Sequence, residues 1–321
     1  MESLPNTHIS RNFEYPRELE DEFGRARKIE WITIVYLITA IAMMAAVMSN
    51  SQAMKTAWIE DILSLVPPVS FLVASKLYTR PSNPDFPYGY HRVISIAFLI
   101  SSVALTSLGV ILLADSLIKL LKVEHATLNS LFFSGKQIWL GYIMIVVMIY
   151  STIPVMILGY RKLPIAKQLF EKNLFTDARM SKANWLTGFA TIAGIAGIGI
   201  GWWWADPIAA IVICADILND GLSNIKEATL DLMNQTPHMV ENHKIDPVFK
   251  KIRKEAEKES WVKTAEVRFR QEGHVYFGEI FIVPSNEENI TEKLEELRKK
   301  IIGMNWRVFD VVITLVKNLE E

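Results

Sequence analysis

The sequence predicts an α-helical membrane protein with six transmembrane helices and a small C-terminal α+β domain, on three observations. Half of the 321 residues are hydrophobic and only 21% are charged, and the mean hydropathy of +0.21 is high for a soluble chain of this length. Six stretches carry the roughly 20 mostly apolar residues that crossing the hydrocarbon layer requires. After residue 222 Lys, Glu and Asp dominate and no spanning stretch recurs.

The stretches are 31–48, 58–77, 93–121, 138–158, 185–204 and 207–222. Residues 1–28 precede them, polar and acidic through Glu18, Glu20, Asp21 and Glu22. That is wrong for a secretory signal peptide and reads as a cytoplasmic lead-in. The transmembrane domain is expected over 29–235 and the tail domain over 236–321. The second, fifth and sixth stretches are the least apolar, which suits helices facing a bundle interior. Gly188, Gly194, Gly197, Gly199 and Gly201 allow close helix approach along the fifth, and Trp202, Trp203 and Trp204 end it as an interfacial belt would. Pro67 and Pro68 free backbone carbonyls and bend the second.

Orientation follows from Lys and Arg. Arg25, Arg27 and Lys28 precede the first stretch, Lys76, Arg80 and Arg92 flank the connection after the second, and Arg161, Lys162, Lys167 and Lys172 fill the connection after the fourth. These ends are expected to be cytoplasmic, as in an inner membrane, with both termini on that side.

In the tail, Val248, Ile252 and Ala256 recur at helical spacing within 245–259, and Val267 and Phe269 alternate with Arg268 and Arg270 as in a strand over 265–271. A second strand over 275–283 follows a hairpin-like connection at Glu272 and Gly273. A charged helix over 292–302, closed by Gly303, precedes a third strand over 307–316. The order αββαβ suits a ferredoxin-like sandwich that lacks its first strand.

A net charge of −1 gives no basic field for nucleic acid. The single Cys214 sits in an apolar run, where a small packing residue is expected and no Cys-pair metal site can form within one chain. No phosphate loop, nucleophile elbow or His-Glu metalloprotease helix is present, so nothing points to an enzyme or to a cofactor. What remains is a set of ionisable groups at membrane depth, each costing about 2.5 to 3.5 kcal/mol on insertion scales. Glu60, Asp61 and Ser64 can share one helix face on the second stretch, and Asp177, Met180 and Asn184 have a similar relation on the approach to the fifth. Two polar stripes can therefore face each other. Asp115, Asp206, Asp216 and Asp220 also lie on or beside apolar runs, with Asp206 before Pro207 reading as a helix start. None of His8, His91, His125, His238, His243 and His274 lies deep in such a run.

The layout resembles the cation diffusion facilitator family of metal exporters. The similarity is carried by Ala53, Met54, residues 58–64, then Arg80, Pro81, Pro87, Tyr88, Gly89, Tyr90, His91 and Arg92, by Asp206 and Pro207 opening the sixth helix, and by the αββαβ tail. The resemblance implies a homodimer that exchanges a divalent metal cation for protons across the lipid bilayer. It also implies a tetrahedral metal site whose four positions fall on Glu60, Ser64, Met180 and Asn184. The family's usual His or Asp is retained only at Glu60, with Asp61 and Asp177 available as replacement charge. Loop and tail zinc ligands of some members are not evident: Asn83 and Tyr90 stand near the loop positions, and Thr314 replaces a His. An oxygen-rich set with one thioether favours manganese or ferrous iron over zinc. The alternative is a transport-inactive relative acting as a partner or metal-sensing subunit. Metal-free dimerisation is expected of the tail, with Trp261, Phe281 and Trp306 either supplying the buried contact or filling the tail's own core.

Overall fold

The computed structural model describes residues 16–47, 52–122, 130–133, 136–198, 205–239, 244–286 and 288–319. Trp202–Trp204, Gly199, Gly201, His8, His125 and His243 lie outside them. In chain order the elements are α1 (Arg17–Val47), α2 (Gln52–Leu63), α3 (Val66–Leu77), α4 (Val93–Lys122), β1 (Ser130–Phe133), β2 (Lys136–Trp139), α5 (Leu140–Leu169), α6 (Lys172–Ile198), α7 (Ala205–Leu232), α8 (Val248–Glu257), β3 (Val262–Glu272), β4 (Val275–Pro284), α9 (Ile290–Met304) and β5 (Val308–Leu315).

The chain divides into two compact units. One, the helical unit, is Asp21–Ala74 with Ala97–Glu227; the other, the tail unit, joins Ser75–Ile96 and Ala228–Glu321 with the described part of Met1–Glu20. Among the described residues four stretches are long and apolar enough to cross a membrane: Leu19–Ala46, Trp58–Leu77, Val93–Lys122 and Ile145–Leu169. At 1.5 Å per residue, a helix of 30 residues such as α4 runs about 45 Å, longer than the roughly 30 Å of hydrocarbon. Helices therefore extend past the apolar stretches that mark them. The helix α1 starts inside the polar lead-in at Arg17, and α5 continues through the basic segment to Leu169, leaving only Phe170 and Glu171 before α6.

The helical unit carries its polar groups inside and many apolar ones outside. Trp31, Ile32, Val35 and Ile38 on α1, Ile100 and Val103 on α4, and Val146, Ile153 and Ile157 on α5 are exposed, whereas Ser101, Ser102, Ser116, Ser151 and Thr152 are buried. A chain in water would not leave such apolar faces bare, and a bilayer solvates them. This is an integral membrane protein. Buried hydroxyls are satisfied locally or between helices: Ser101 on α4 donates to Asn173 Oδ1 on α6 at 2.5 Å and lies 2.8 Å from Ser70 Oγ on α3. Arg179 on α6 pairs with Asp220 on α7 at 2.9 Å, Lys182 with Asp216 at 3.5 Å, and Lys119 with Asp115 within α4.

The second apolar stretch is two helices, not one. Pro67 and Pro68 have no N–H for the carbonyls of Leu63 and Ser64 one turn earlier, so the ladder ends there and restarts as α3. A short antiparallel hairpin, β1 with β2, precedes α5 and pairs Phe133 with Lys136. It was not expected.

In the tail unit α8, β3, β4, α9 and β5 follow one another as αββαβ, and the sheet order is β3-β4-β5. The first pair is antiparallel and the second parallel, the latter joined through α9 as a parallel crossover requires. Gly273 makes the tight β3–β4 turn at φ +63°, a conformation that a side chain resists. Phe249, Ile252, Trp261, Phe269, Tyr276, Ile280, Leu297 and Ile301 form its core. Trp261 thus packs within the unit's own core, one of the two places the sequence left open for it. Gly303 lies within the last turn of α9, not beyond it; the helix ends at Asn305, which is extended and whose Oδ1 accepts from the Arg307 amide at 2.9 Å.

The segment before α4 is bound into the same unit. Arg92 donates to Asn234 Oδ1 at 2.6 Å and to Glu272 Oε1 at 3.3 Å, and the His91 ring lies against Phe309 and Phe277 with centroids 5.0 and 5.8 Å away.

Candidate metal centre

Polar side chains of α2 and α6 meet inside the helical unit. Glu60, Asp61 and Ser64 are all buried on α2 or at its end. The Ser64 hydroxyl donates to the Glu60 carbonyl at 2.7 Å, one turn back. From α6, Asn184 Nδ2 donates to Ser64 Oγ at 2.5 Å, and the Thr187 hydroxyl, whose nearer acceptors are the Asn184 and Ala183 carbonyls at 2.9 and 3.1 Å, lies 3.4 Å from Glu60 Oε2. Asn184 Oδ1 is buried without a hydrogen-bond partner. Asp61 turns the other way, toward α5, where Ser151 donates to its Oδ2 at 3.1 Å.

Glu60, Ser64 and Asn184 are thus brought together as the two-stripe expectation has it, with Thr187 added and Asp61 directed at a third helix. Met180, fully buried one turn from Asn184, packs among Leu105, Leu108, Cys214 and Ile217 of α4 and α7. Among the described residues no three His, Cys, Asp or Glu side chains converge on one point.

Asp177 belongs to a different cluster. It forms an ion pair with Lys162 on α5, and the same ammonium binds Glu30 Oε2 on α1 at 2.9 Å. Sequence reasoning missed Glu30, Lys162, Ser151 and Thr187. Two of them had a signal. Phe23, Ala26, Glu30, Ile34, Leu37, Ala40 and Met44 are the buried stripe of α1, so Glu30 fills a slot whose helical spacing calls for an apolar residue. Lys162 likewise precedes Ile165, Ala166 and Leu169, which recur at 3 and 4 residues and are buried. Counting Lys162 as a connection charge hid that periodicity.

The arrangement buries carboxylates and neutral oxygens where helices cross inside an integral membrane protein. The model of the cation efflux transmembrane domain matches residues 30–233, well over half of the chain, and the chain belongs to that family, the cation diffusion facilitators. It is also similar to the manganese efflux system protein MneS of Bacillus subtilis (strain 168), at 21% identity over 211 residues, covering 65% of this chain and 68% of that protein.

Proposed function

We propose that this chain exports manganese or ferrous iron, in preference to zinc, by exchange for protons, using Glu60, Asp61, Ser64, Met180 and Asn184 as the metal site and Asp177 as a separate stop on the same helix. The observation that carries the reading is the hydrogen-bonded convergence of Glu60, Ser64, Asn184 and Thr187 between α2 and α6. Oxygen donors suit harder cations, and a single thioether adds a little softness. The similarity to a protein named for manganese efflux supports the same metal. Proton exchange follows from chemistry: carboxylates release protons to bind a divalent ion and recover them when it leaves.

The working form is a homodimer of six-helix protomers in the inner membrane, the transmembrane domain spanning 29–235 and both termini cytoplasmic. The cationic residues Arg25, Arg27, Lys28, Arg80, Arg161 and Lys167, all exposed, support that orientation. The tail domain, 236–321, reads as ferredoxin-like with its first strand absent. Removing that strand from its central place leaves the third and fourth strands adjacent and parallel, and β4 with β5 is such a pair.

Purified protein in liposomes should drive Mn2+ flux under a proton gradient, and Glu60→Ala should abolish it. Unchanged flux would remove Glu60 from the mechanism. The second reading, a partner or sensing subunit without transport, draws on Ser64 and Asn184 bonding each other; it predicts Mn2+ binding with no flux in the unmutated protein.

A further inference from the structure

We propose that Glu30 and Asp177 form a second divalent-cation site in the helical unit, filled in this conformation by the Lys162 ammonium, which must withdraw before a metal ion enters. The inference takes its ligand class from the cation-efflux reading, but its test reads binding and not flux.

The cluster draws one residue from each of three helices: Glu30 from α1, Lys162 from α5 and Asp177 from α6. Glu30 and Lys162 are 0% exposed and Asp177 is 2% exposed. Lys162 Nζ bonds Glu30 Oε2 at 2.9 Å and also Asp177 Oδ2. Two carboxyl groups share one ammonium in a place that water does not reach, so both can be ionised there only if further positive charge is supplied, buried charge being costly unless it is matched. A divalent ion matches both carboxylates; the ammonium matches one.

A second observation points the same way. Glu30 Oε1 is buried with no hydrogen-bond partner, and a carboxylate oxygen left over inside the protein can serve as a ligand position. Lys162 supplies hydrogen bonds along its N–H directions only, whereas a manganese-like ion accepts carboxylate oxygens from all sides. The bound ammonium therefore marks a cation site that it satisfies incompletely.

The place along the helix gives the site its role. Asp177 precedes Asn184 by seven residues on α6, about 10 Å at 1.5 Å per residue. A metal ion at Glu30 and Asp177 would be one step from Glu60 and Asn184 along the same helix. Lys162 then acts as a tethered competitor: while it occupies the pair the route is closed, and an arriving divalent ion opens it by displacing the ammonium.

The test measures Mn2+ binding to the purified full-length protein. Glu60→Ala with Asp61→Asn should remove the first site and most binding. Adding Lys162→Met to that pair should restore one Mn2+ per protomer, and adding Glu30→Gln or Asp177→Asn should remove it again. A folded Lys162→Met protein that binds no Mn2+ would overturn the proposal, as would binding that survives loss of both carboxylates. If Lys162→Met does not fold, the unmutated protein decides. Labelling of Lys162 with an amine-reactive ester, read by peptide mass, should rise severalfold when Mn2+ is added, and no rise overturns the proposal.

Discussion

Asn184 spends its amide N–H on Ser64, 2.5 Å away across the α2–α6 crossing, while its own carbonyl oxygen stays buried and unpartnered. The amide thus holds a hydroxyl in place and leaves one acceptor over. An acceptor without a donor in a membrane interior is costly by about 1 to 3 kcal/mol, and an incoming cation would relieve that cost.

The first prediction follows. Asn184→Asp adds a carboxylate beside Glu60 without changing side-chain size, so metal affinity should rise about tenfold, roughly 1.4 kcal/mol, as ligand charge increases. Zn2+ should gain alongside Mn2+ as the site approaches a more acidic donor set. Competition between the two ions for the purified variant checks this, and an affinity equal to the parent's would place Asn184 outside the coordination sphere.

The second prediction concerns pH. Burial pushes the His91 imidazole down from near 6.5 to about 4, with Glu272 opposing and His274 assisting. In the unfolded chain this histidine takes up a proton near pH 6.5, so the folded unit binds fewer protons between about pH 6.5 and about 4. Its contribution is complete above pH 6.5 and falls as the pH drops through that window, by up to about 3 kcal/mol. Urea unfolding followed through Trp261 and Trp306 should show a lower midpoint at pH 5 than at pH 7, and His91→Phe should flatten that difference. A parent midpoint that does not move would show that the ring titrates normally.

How much of this was legible depended on what each signal measures. The αββαβ tail was readable because Val267 and Phe269 alternate and Val248, Ile252 and Ala256 repeat at helical spacing, and both periods report burial directly. The α2–α6 stripe was readable for the same reason, through Glu60 with Ser64 and Met180 with Asn184. Lys162 was not, because charge was used to mark the ends of apolar stretches, whereas α5 carries its lysine past that boundary into a buried face. Asp61 was placed on the right helix but toward the wrong neighbour: spacing fixes a face within one helix and says nothing of whether Ser151 or Asn184 lies opposite. Trp261 was left open between core and dimer contact because an aromatic residue in a small domain carries the same sequence signal in a core as at an interface.

The third prediction tests how close packing of α5 and α6 sets the metal site. A Cβ placed on Gly188 of α6 would overlap the Thr152 side chain of α5, and one on Gly159 of α5 would come within 2.8 Å of Ser181 Cβ on α6. The two helices therefore touch at both places through glycine, which is how small residues let membrane helices approach. Gly188→Ala should cost about 1 to 3 kcal/mol through overpacking, because Thr152 is itself buried and has little room to turn. The effect should reach the site, since Thr187, the residue just before Gly188 on α6, lies 3.4 Å from Glu60 Oε2, and Asn184 one turn back donates to Ser64. Displacing α6 there weakens both contacts, so Mn2+ affinity should fall together with thermal stability. Thr152→Ala removes the overlapping atoms. In combination with Gly188→Ala it should recover most of the lost stability and the affinity with it, the coupling expected of residues in contact. Losses that simply add in the double variant would mean that Gly188 and Thr152 do not meet, and that the spacing of α5 and α6 is set elsewhere.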